Sequence, residues 1–174
     1  MLLLRFSMSI KKILLLGNPK LYEVAKEVQR EELLDIQQLA LDLRDTMMDF
    51  RVRYQWGRAI AAPQIGDLRR VIYMQVDEPI VFINPQIDFS GYEMMTLWDD
   101  CMSFPDLLVK VQRYKHCKVR FRDLECSEKE LSFSGKMSEL FQHELDHLNG
   151  VLFIDHLSRL KQDRIRKKIE KSHR

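Results

Sequence analysis

His143-Glu144-Leu145-Asp146-His147 is the most informative stretch of this 174-residue chain for its fold and its chemistry. On an α-helix, a spacing of four residues returns to the same face, so both imidazoles can bind one metal ion. Glu144 then lies where it can deprotonate a water molecule that the metal activates. The pattern predicts a helix that supports metal-assisted hydrolysis. The same five letters can also match by chance on a solvated helix, so the rest of the chain has to decide.

Length and composition favour one compact domain with a sizeable core, because the chain has 174 residues of which 45% are hydrophobic. The net charge of +2 alone does not predict general binding of nucleic acid. The basic charge is concentrated in residues 157–174, which contain eight Lys or Arg and two acidic residues. We therefore treat the charge as a property of a basic C-terminal segment.

The cysteines and the N-terminus favour a cytoplasmic protein. Cys101, Cys117 and Cys126 form no even-numbered disulfide framework and have no CxxC spacing. The apolar start is interrupted by Arg5, which predicts neither an export signal nor a membrane span. Met8 is a second candidate start, which would make residues 1–7 an extension.

Hydrophobic periodicity predicts an α+β fold. Residues from about 22 to 50 are rich in helix formers and predict an N-terminal amphipathic helix, in which the apolar residues that recur at three- and four-residue steps are Leu33, Ile36, Leu39 or Ala40, Leu43 and Met47. Short β-branched or aromatic runs predict largely antiparallel strands at residues 71–76, 80–83, 107–111 and 117–122. Helices are predicted again at residues 138–148, which hold the two histidines, and at residues 155–171, which are basic.

Two histidines need a third protein ligand, and three sources can be compared. The HExxHxxGxxH pattern would place it at position 153, which is Phe153. A downstream glutamate, as in thermolysin, has only Glu170 as a candidate, and this residue lies within the basic segment. An upstream ligand remains, and Cys101 lies suitably between strand-like segments. A thiolate ligand would suit Fe(II), Zn(II), Ni(II) or Co(II).

Three motifs, in a fixed order, resemble those of the peptide deformylase family. The family segments GxGxAAPQ, EGCLS and QHExDHLxG correspond to GRAIAAPQ at 57–64, DDCMS at 99–103 and QHELDHLNG at 142–150. The likeness runs from about residue 10 to residue 157. It implies one domain over residues 1–174, with antiparallel sheets wrapped around a central helix that carries HExxH and a basic C-terminal helix at 158–174.

The resemblance also implies a site and a reaction. One divalent metal ion, Fe(II) in the cell and Zn, Ni or Co as replacements, would be held by Cys101, His143 and His147. Glu144 would be the general base and acid, and the Gln64 side chain and the Met102 backbone N–H would bind the oxyanion. The implied function is removal of the formyl group from N-formyl-methionyl nascent peptides, with release of formate.

Four positions around this site depart from the family motifs: Arg58, Ala59, Asp99 and Asp100. The first three, with Gly57, are expected to contact the substrate. Ala59 replaces a glycine and would be strained if the position needs a positive φ. Asp99 is one methylene shorter than the usual glutamate. Asp100 would bring negative charge to the site if its side chain points inward.

Other residues have more ordinary interpretations. Cys117 and Cys126 are expected to be small buried hydrophobes. Asp146 is expected to orient a histidine or anchor the helix, and His156 to pack at the start of the last helix. The basic segment is either a solvated helix face or a surface that contacts the ribosome through RNA phosphates, and no specific DNA partner is predicted.

Two alternatives to a deformylase stay open at this point. Arg58 and Ala59 could reshape the substrate groove into that of another metal-dependent amidase or peptidase. A non-catalytic paralogue could instead keep the metal and associate with the ribosome.

Overall fold

The structure is a computed structural model that describes residues 9–162, 164 and 165. Its α-helices are α1 (Leu33–Tyr54) and α2 (Lys136–Leu148), and short 3₁₀ turns lie at Pro19–Tyr22, Arg30–Glu32, Ala62–Ile65 and Phe153–His156. The strands are β1 (Ala59–Ala61), β2 (Val71–Gln75), β3 (Pro79–Phe89), β4 (Met94–Asp99), β5 (Val109–Tyr114), β6 (His116–Arg122) and β7 (Glu128–Ser134). The fold is α+β, as predicted.

Two antiparallel sheets organise the chain. The larger has the strand order β1-β2-β3-β6-β7, and the smaller is the pair β4-β5. Strand β2 is buried on both faces, because Ile72 and Met74 pack in the same core as α2 while Val71 and Tyr73 pack in the core of α1. The two helices therefore cover opposite faces of the larger sheet.

Helix α2 is buried nearly all around. It contacts β1, β2 and β7 of the larger sheet and β5 of the smaller one. Its end requires Gly150, which has φ +68°, because a Cβ there would lie 2.5 Å from the carbonyl oxygen of Tyr22. The N-terminal segment thus passes directly over the end of the helix that carries the two histidines.

Three predicted elements have different bounds in the structure. The helix predicted over residues 22–50 begins only at Leu33 and ends at Tyr54. The segment before it is held extended, because Lys26 forms a bridge with Arg69 and the side chain of Asn84 binds both the N–H and the carbonyl of Val28. The strand predicted at residues 107–111 begins at residue 109, and the one at 80–83 extends to residue 89.

Strands β1, β4 and β7 were not predicted. Strand β1 has three residues, and β7 lies at the edge of its sheet with most of its side chains exposed, so neither has a long apolar run. The predicted C-terminal basic helix lies largely outside the described residues. Of the part that the structure describes, residues 159–162, 164 and 165 are helical. None of the helices within the described ranges has the length and apolar character needed to cross a bilayer.

Candidate metal centre

Helix α2 and the segment after β4 bring together the three predicted metal ligands. Cys101, His143 and His147 are all buried, and their candidate ligand atoms lie within 4.8 Å of one another. The Cys101 Sγ lies 3.2 Å from His147 Nε2. One thiol and two imidazoles in this arrangement form a donor set that suits Fe(II), Zn(II), Ni(II) or Co(II).

The protonation of the two imidazoles differs because their neighbours differ. Burial and the nearby His143 lower the pKa of His147 to about 3, so this ring is neutral, as a metal ligand must be. Burial also opposes protonation of His143, but the carboxylate of Asp99 outweighs it and raises the pKa well above its usual value. Burial raises the pKa of the Cys101 thiol, and binding to a metal would favour its thiolate form.

Glu144 is buried beside the three candidate ligands. Burial raises its pKa to about 7. Its Oε2 has no hydrogen-bond partner among the residues that the structure describes. A carboxylate oxygen of this kind, next to a thiol and two imidazoles, fits a site that holds a metal ion and a water molecule. The raised pKa also suits a group that takes and returns a proton near neutral pH.

Gln64 points its amide nitrogen at the same cluster. Its Oε1 accepts a 2.9 Å hydrogen bond from the N–H of Ala61, which determines the orientation of the amide. Its Nε2 donates to Ser103 Oγ at 3.3 Å and lies 3.6 Å from Cys101 Sγ. The side chain is 1% exposed, so this donor is held in place away from bulk water.

Asp99 serves the site in a way that the sequence did not indicate. Its Oδ1 lies 2.8 Å from His143 Nδ1, and its Oδ2 accepts a 3.1 Å hydrogen bond from Arg113. Burial opposes ionisation of this carboxyl, but His143 and Arg113 outweigh it and lower its pKa. These contacts place Asp99 where it can orient His143. The substrate contact predicted for Asp99 stays a prediction, because this residue also lines the cleft beside the cluster.

Arg113 is the functional residue that the sequence interpretation missed. Its guanidinium binds Asp99 on one side and Asp146 on the other, at 3.1 and 2.5 Å. Asp146 Oδ2 also lies 2.7 Å from His156 Nε2, so Asp146 anchors α2 to β5 and to the turn at His156. An available signal was the alternation of β5, in which Arg113 occupies an inward position after Val109 and Val111.

Replacing Arg113 by methionine is expected to destabilise the fold by about 3 to 5 kcal/mol, because it leaves the buried Asp99 without its cation. Urea unfolding at equal metal content measures this loss. The matched control is Arg120→Met, which breaks an exposed ion pair with Asp88 and should cost at most about 1 kcal/mol. Equal effects of the two substitutions would contradict the role assigned to Arg113.

A cleft of about 400 Å³ opens beside the cluster, and Cys101, Glu144 and Gln64 line it. The four predicted substrate residues line it as well: Gly57, Arg58, Ala59 and Asp99. Gly57 needs the conformational freedom of glycine because its φ is +121°, whereas a Cβ there would make only ordinary contacts with Phe50 and Met102.

The structure shows where two of the residues that depart from the family motifs lie. Ala59 lies in strand β1 and is not among the residues with positive φ, so the strain considered for this position does not arise. Asp100 is exposed and lines the cleft, and burial together with the charge of Asp99 raises its pKa. Burial raises the pKa of Glu139, which also lines the cleft, to about 7. Cys117 is buried in the core as predicted, whereas Cys126 is partly exposed.

Comparison with known proteins gives concordant results. A family model described as polypeptide deformylase matches residues 10–163. A peptide deformylase from Cellvibrio japonicus is 38% identical over 171 residues, which cover 96% of this chain and 98% of the relative. A peptide deformylase structure from Legionella pneumophila has a TM-score of 0.82 and 36% identity, over 95% of this chain and 96% of that one.

A second solved structure carries a peptide. The peptide deformylase from Acinetobacter baumannii bound to Met-Ala-Ser has a TM-score of 0.79 and 30% identity, over 87% of this chain and 100% of that chain. The sequence comparison and the structure comparisons thus each cover most of this chain.

Proposed function

Since this chain belongs to the polypeptide deformylase family, we propose that Cys101, His143 and His147 hold its metal and that Glu144 is its general base. The chain is a metal-dependent hydrolase that removes the N-terminal formyl group from newly made polypeptides. The observation that carries the residue roles is the buried cluster of one thiol and two imidazoles with the unpaired carboxylate oxygen of Glu144 beside it.

Cys101, His143 and His147 would hold the metal, which we propose to be Fe(II) in the cell with Zn, Ni or Co as replacements. When bound, it would supply the Lewis acidity that activates water and polarises the formyl carbonyl. Asp99 holds the ring of His143 through Nδ1, so the orientation of this ligand does not depend on the metal alone. Burial excludes bulk water from Cys101 and His147. The last two contributions come from the protein.

Glu144 moves the proton in this mechanism. With its pKa near 7, the carboxylate takes a proton from the attacking water and then donates it to the leaving amine nitrogen. The C–N bond of the formamide breaks, and the products are formate and a free N-terminal amine. The buried position of Glu144 keeps the proton away from bulk solvent between the two transfers.

Gln64 and Met102 stabilise the negative charge that develops on the formyl oxygen. The Gln64 amide is held by Ala61, so its N–H groups do not have to reorient during the reaction. The backbone N–H of Met102 follows the proposed thiolate ligand directly in sequence and supplies the second donor. Donors that are positioned in advance lower the barrier more than mobile ones.

Replacing Gln64 by leucine should lower kcat by about 10² to 10³, because one oxyanion donor is lost while the shape is nearly kept. Steady-state formate release from a formyl-Met peptide measures the effect. Gln86→Leu, on the exposed face of β3, serves as the control and should leave kcat unchanged. A rise in KM with an unchanged kcat would instead assign Gln64 to substrate binding.

The proposed substrate is an N-formyl-methionyl nascent peptide, bound in the cleft at Gly57, Arg58 and Ala59. The Acinetobacter relative bound to Met-Ala-Ser supports this, because that peptide begins with the methionine that deformylation leaves. Formylated chains are products of translation, so we propose a cytoplasmic location. We also propose that residues 1–174 form one domain, of which residues 10–163 match the family model, and that the basic C-terminal segment contacts ribosomal RNA.

One experiment tests the function as a whole. Purified protein is loaded with Fe(II) without oxygen, or with Ni(II), and its metal content and formate release are measured on the same sample. Formyl-Met and acetyl-Met peptides compete in the assay. We expect one metal ion per chain and formate from the formyl peptide. Stoichiometric metal without formate would support a non-catalytic protein, and cleavage of the acetyl peptide would support a different amidase.

A further inference from the structure

An ion pair forms part of the cleft wall next to the proposed metal. Arg58 Nη2 lies 3.7 Å from Glu139 Oε2, with Arg58 43% exposed and Glu139 7% exposed. Both residues line the cleft that Cys101 and Glu144 also line. The backbone of Arg58 is held, because its carbonyl accepts a 2.8 Å hydrogen bond from the N–H of Gln75. The guanidinium therefore extends into the cleft from a fixed point.

The position of Glu139 brings this pair close to the reacting atoms. Glu139 precedes His143 by one helical turn, and its carboxylate lies within 4.8 Å of a ring nitrogen of His143 and of the Asp99 carboxylate. Under the proposed function the formyl group lies beside the three candidate ligands, so the residue that carries it lies in the adjoining cleft. Arg58 and Glu139 line that cleft and are among the charged groups that the first side chain of the substrate would meet there.

The pair has unused hydrogen-bonding capacity. Its 3.7 Å separation is beyond hydrogen-bond range, so Arg58 Nη2 and Glu139 Oε2 can each bind a third group. Asp99 is already bound to Arg113, whereas Asp100 is exposed and lines the same cleft. An apolar side chain would remove water from Arg58 and Glu139 without replacing its hydrogen bonds.

We propose that Arg58 and Glu139 extend the substrates of this enzyme to formylated N-termini whose first side chain ends in an amide. Glutamine has nearly the length of methionine. Its carbonyl oxygen accepts from Arg58, and its NH₂ group donates to an oxygen of Glu139, which can accept whether or not the carboxyl is protonated. The inference rests on the proposed function, because it concerns the same site and reaction.

The test compares kcat/KM for formyl-Gln-Ala-Ser and formyl-Met-Ala-Ser. We expect the wild-type values to lie within about tenfold of each other, and the Arg58→Leu/Glu139→Leu variant to lower the Gln-to-Met ratio by about tenfold or more. Glu139→Gln keeps an acceptor oxygen and should retain the ratio. Arg58→Leu alone, at a half-exposed position, should also lower it and does not alter the buried helix.

Two outcomes would overturn the inference. One is a wild-type preference for formyl-Met above tenfold, and the other is a ratio that stays the same in both leucine variants when their metal content matches the wild type. Formate release from neither peptide would overturn the proposed function, and with it this inference. Release with a strong methionine preference would overturn the inference alone.

Discussion

Glu144→Ala is expected to lower kcat/KM for a formyl-Met peptide by about 10³, or about 4 kcal/mol of transition-state stabilisation, while metal binding is kept. The carboxylate is the group that we propose to take and return the proton, and it lies beside the metal ligands without being one of them. Formate release and metal content on the same sample measure the two effects separately.

The control for this substitution is Glu130→Ala, on the exposed edge strand β7, where only an exposed ion pair with Lys118 is lost. It should keep both metal and activity. Activity within tenfold of wild type in Glu144→Ala would assign proton transfer to another group. Loss of metal together with activity would show that Glu144 acts first on the metal rather than on the proton.

Cys101→Ala should weaken metal binding by more than about 100-fold and abolish formate release at micromolar metal, because only the two imidazoles remain. The thiolate also gives the substitution a spectroscopic signature. Co(II)-loaded wild-type protein should show a thiolate-to-metal charge-transfer band, and the variant should lack it.

Cys126→Ala is the matched thiol control, since Cys126 is partly exposed and does not belong to the ligand cluster. It should keep the charge-transfer band and the metal affinity. A band that persists in Cys101→Ala would rule out Cys101 as a ligand and direct the search to another sulfur.

The sequence was most informative where chemistry dictates spacing. The His143/His147 pair required a helix, and the three motifs indicated Cys101 and Gln64, all of which the structure brings together. Arg113 could not be found in this way, because its importance depends on Asp99 and Asp146, which come from two other elements. A single sequence does not show that three charged side chains from separate segments share one buried location.

The start of α1 shows the same limit at the level of the fold. Residues 23–29 contain good helix formers, but backbone pairing of Lys26 with Arg69 and the bonds from Asn84 to Val28 hold the segment extended. Long-range contacts thus override local helix propensity here. The short strand β1 was also missed, because it is defined by its pairing with β2 and not by a pattern in its own three residues.

The separation of the proposed ligands along the chain has a thermodynamic consequence. Cys101 and His147 are 46 residues apart in sequence, and His147 lies on the helix that forms the centre of the fold. Joining them through one ion closes a loop of that length, as a disulfide would. Such a closure reduces the conformational entropy of the unfolded chain, by about 4 kcal/mol at room temperature for a covalent link across a loop of this size. The metal centre is thereby also a reversible cross-link, and the chain's resistance to unfolding varies with the free metal concentration.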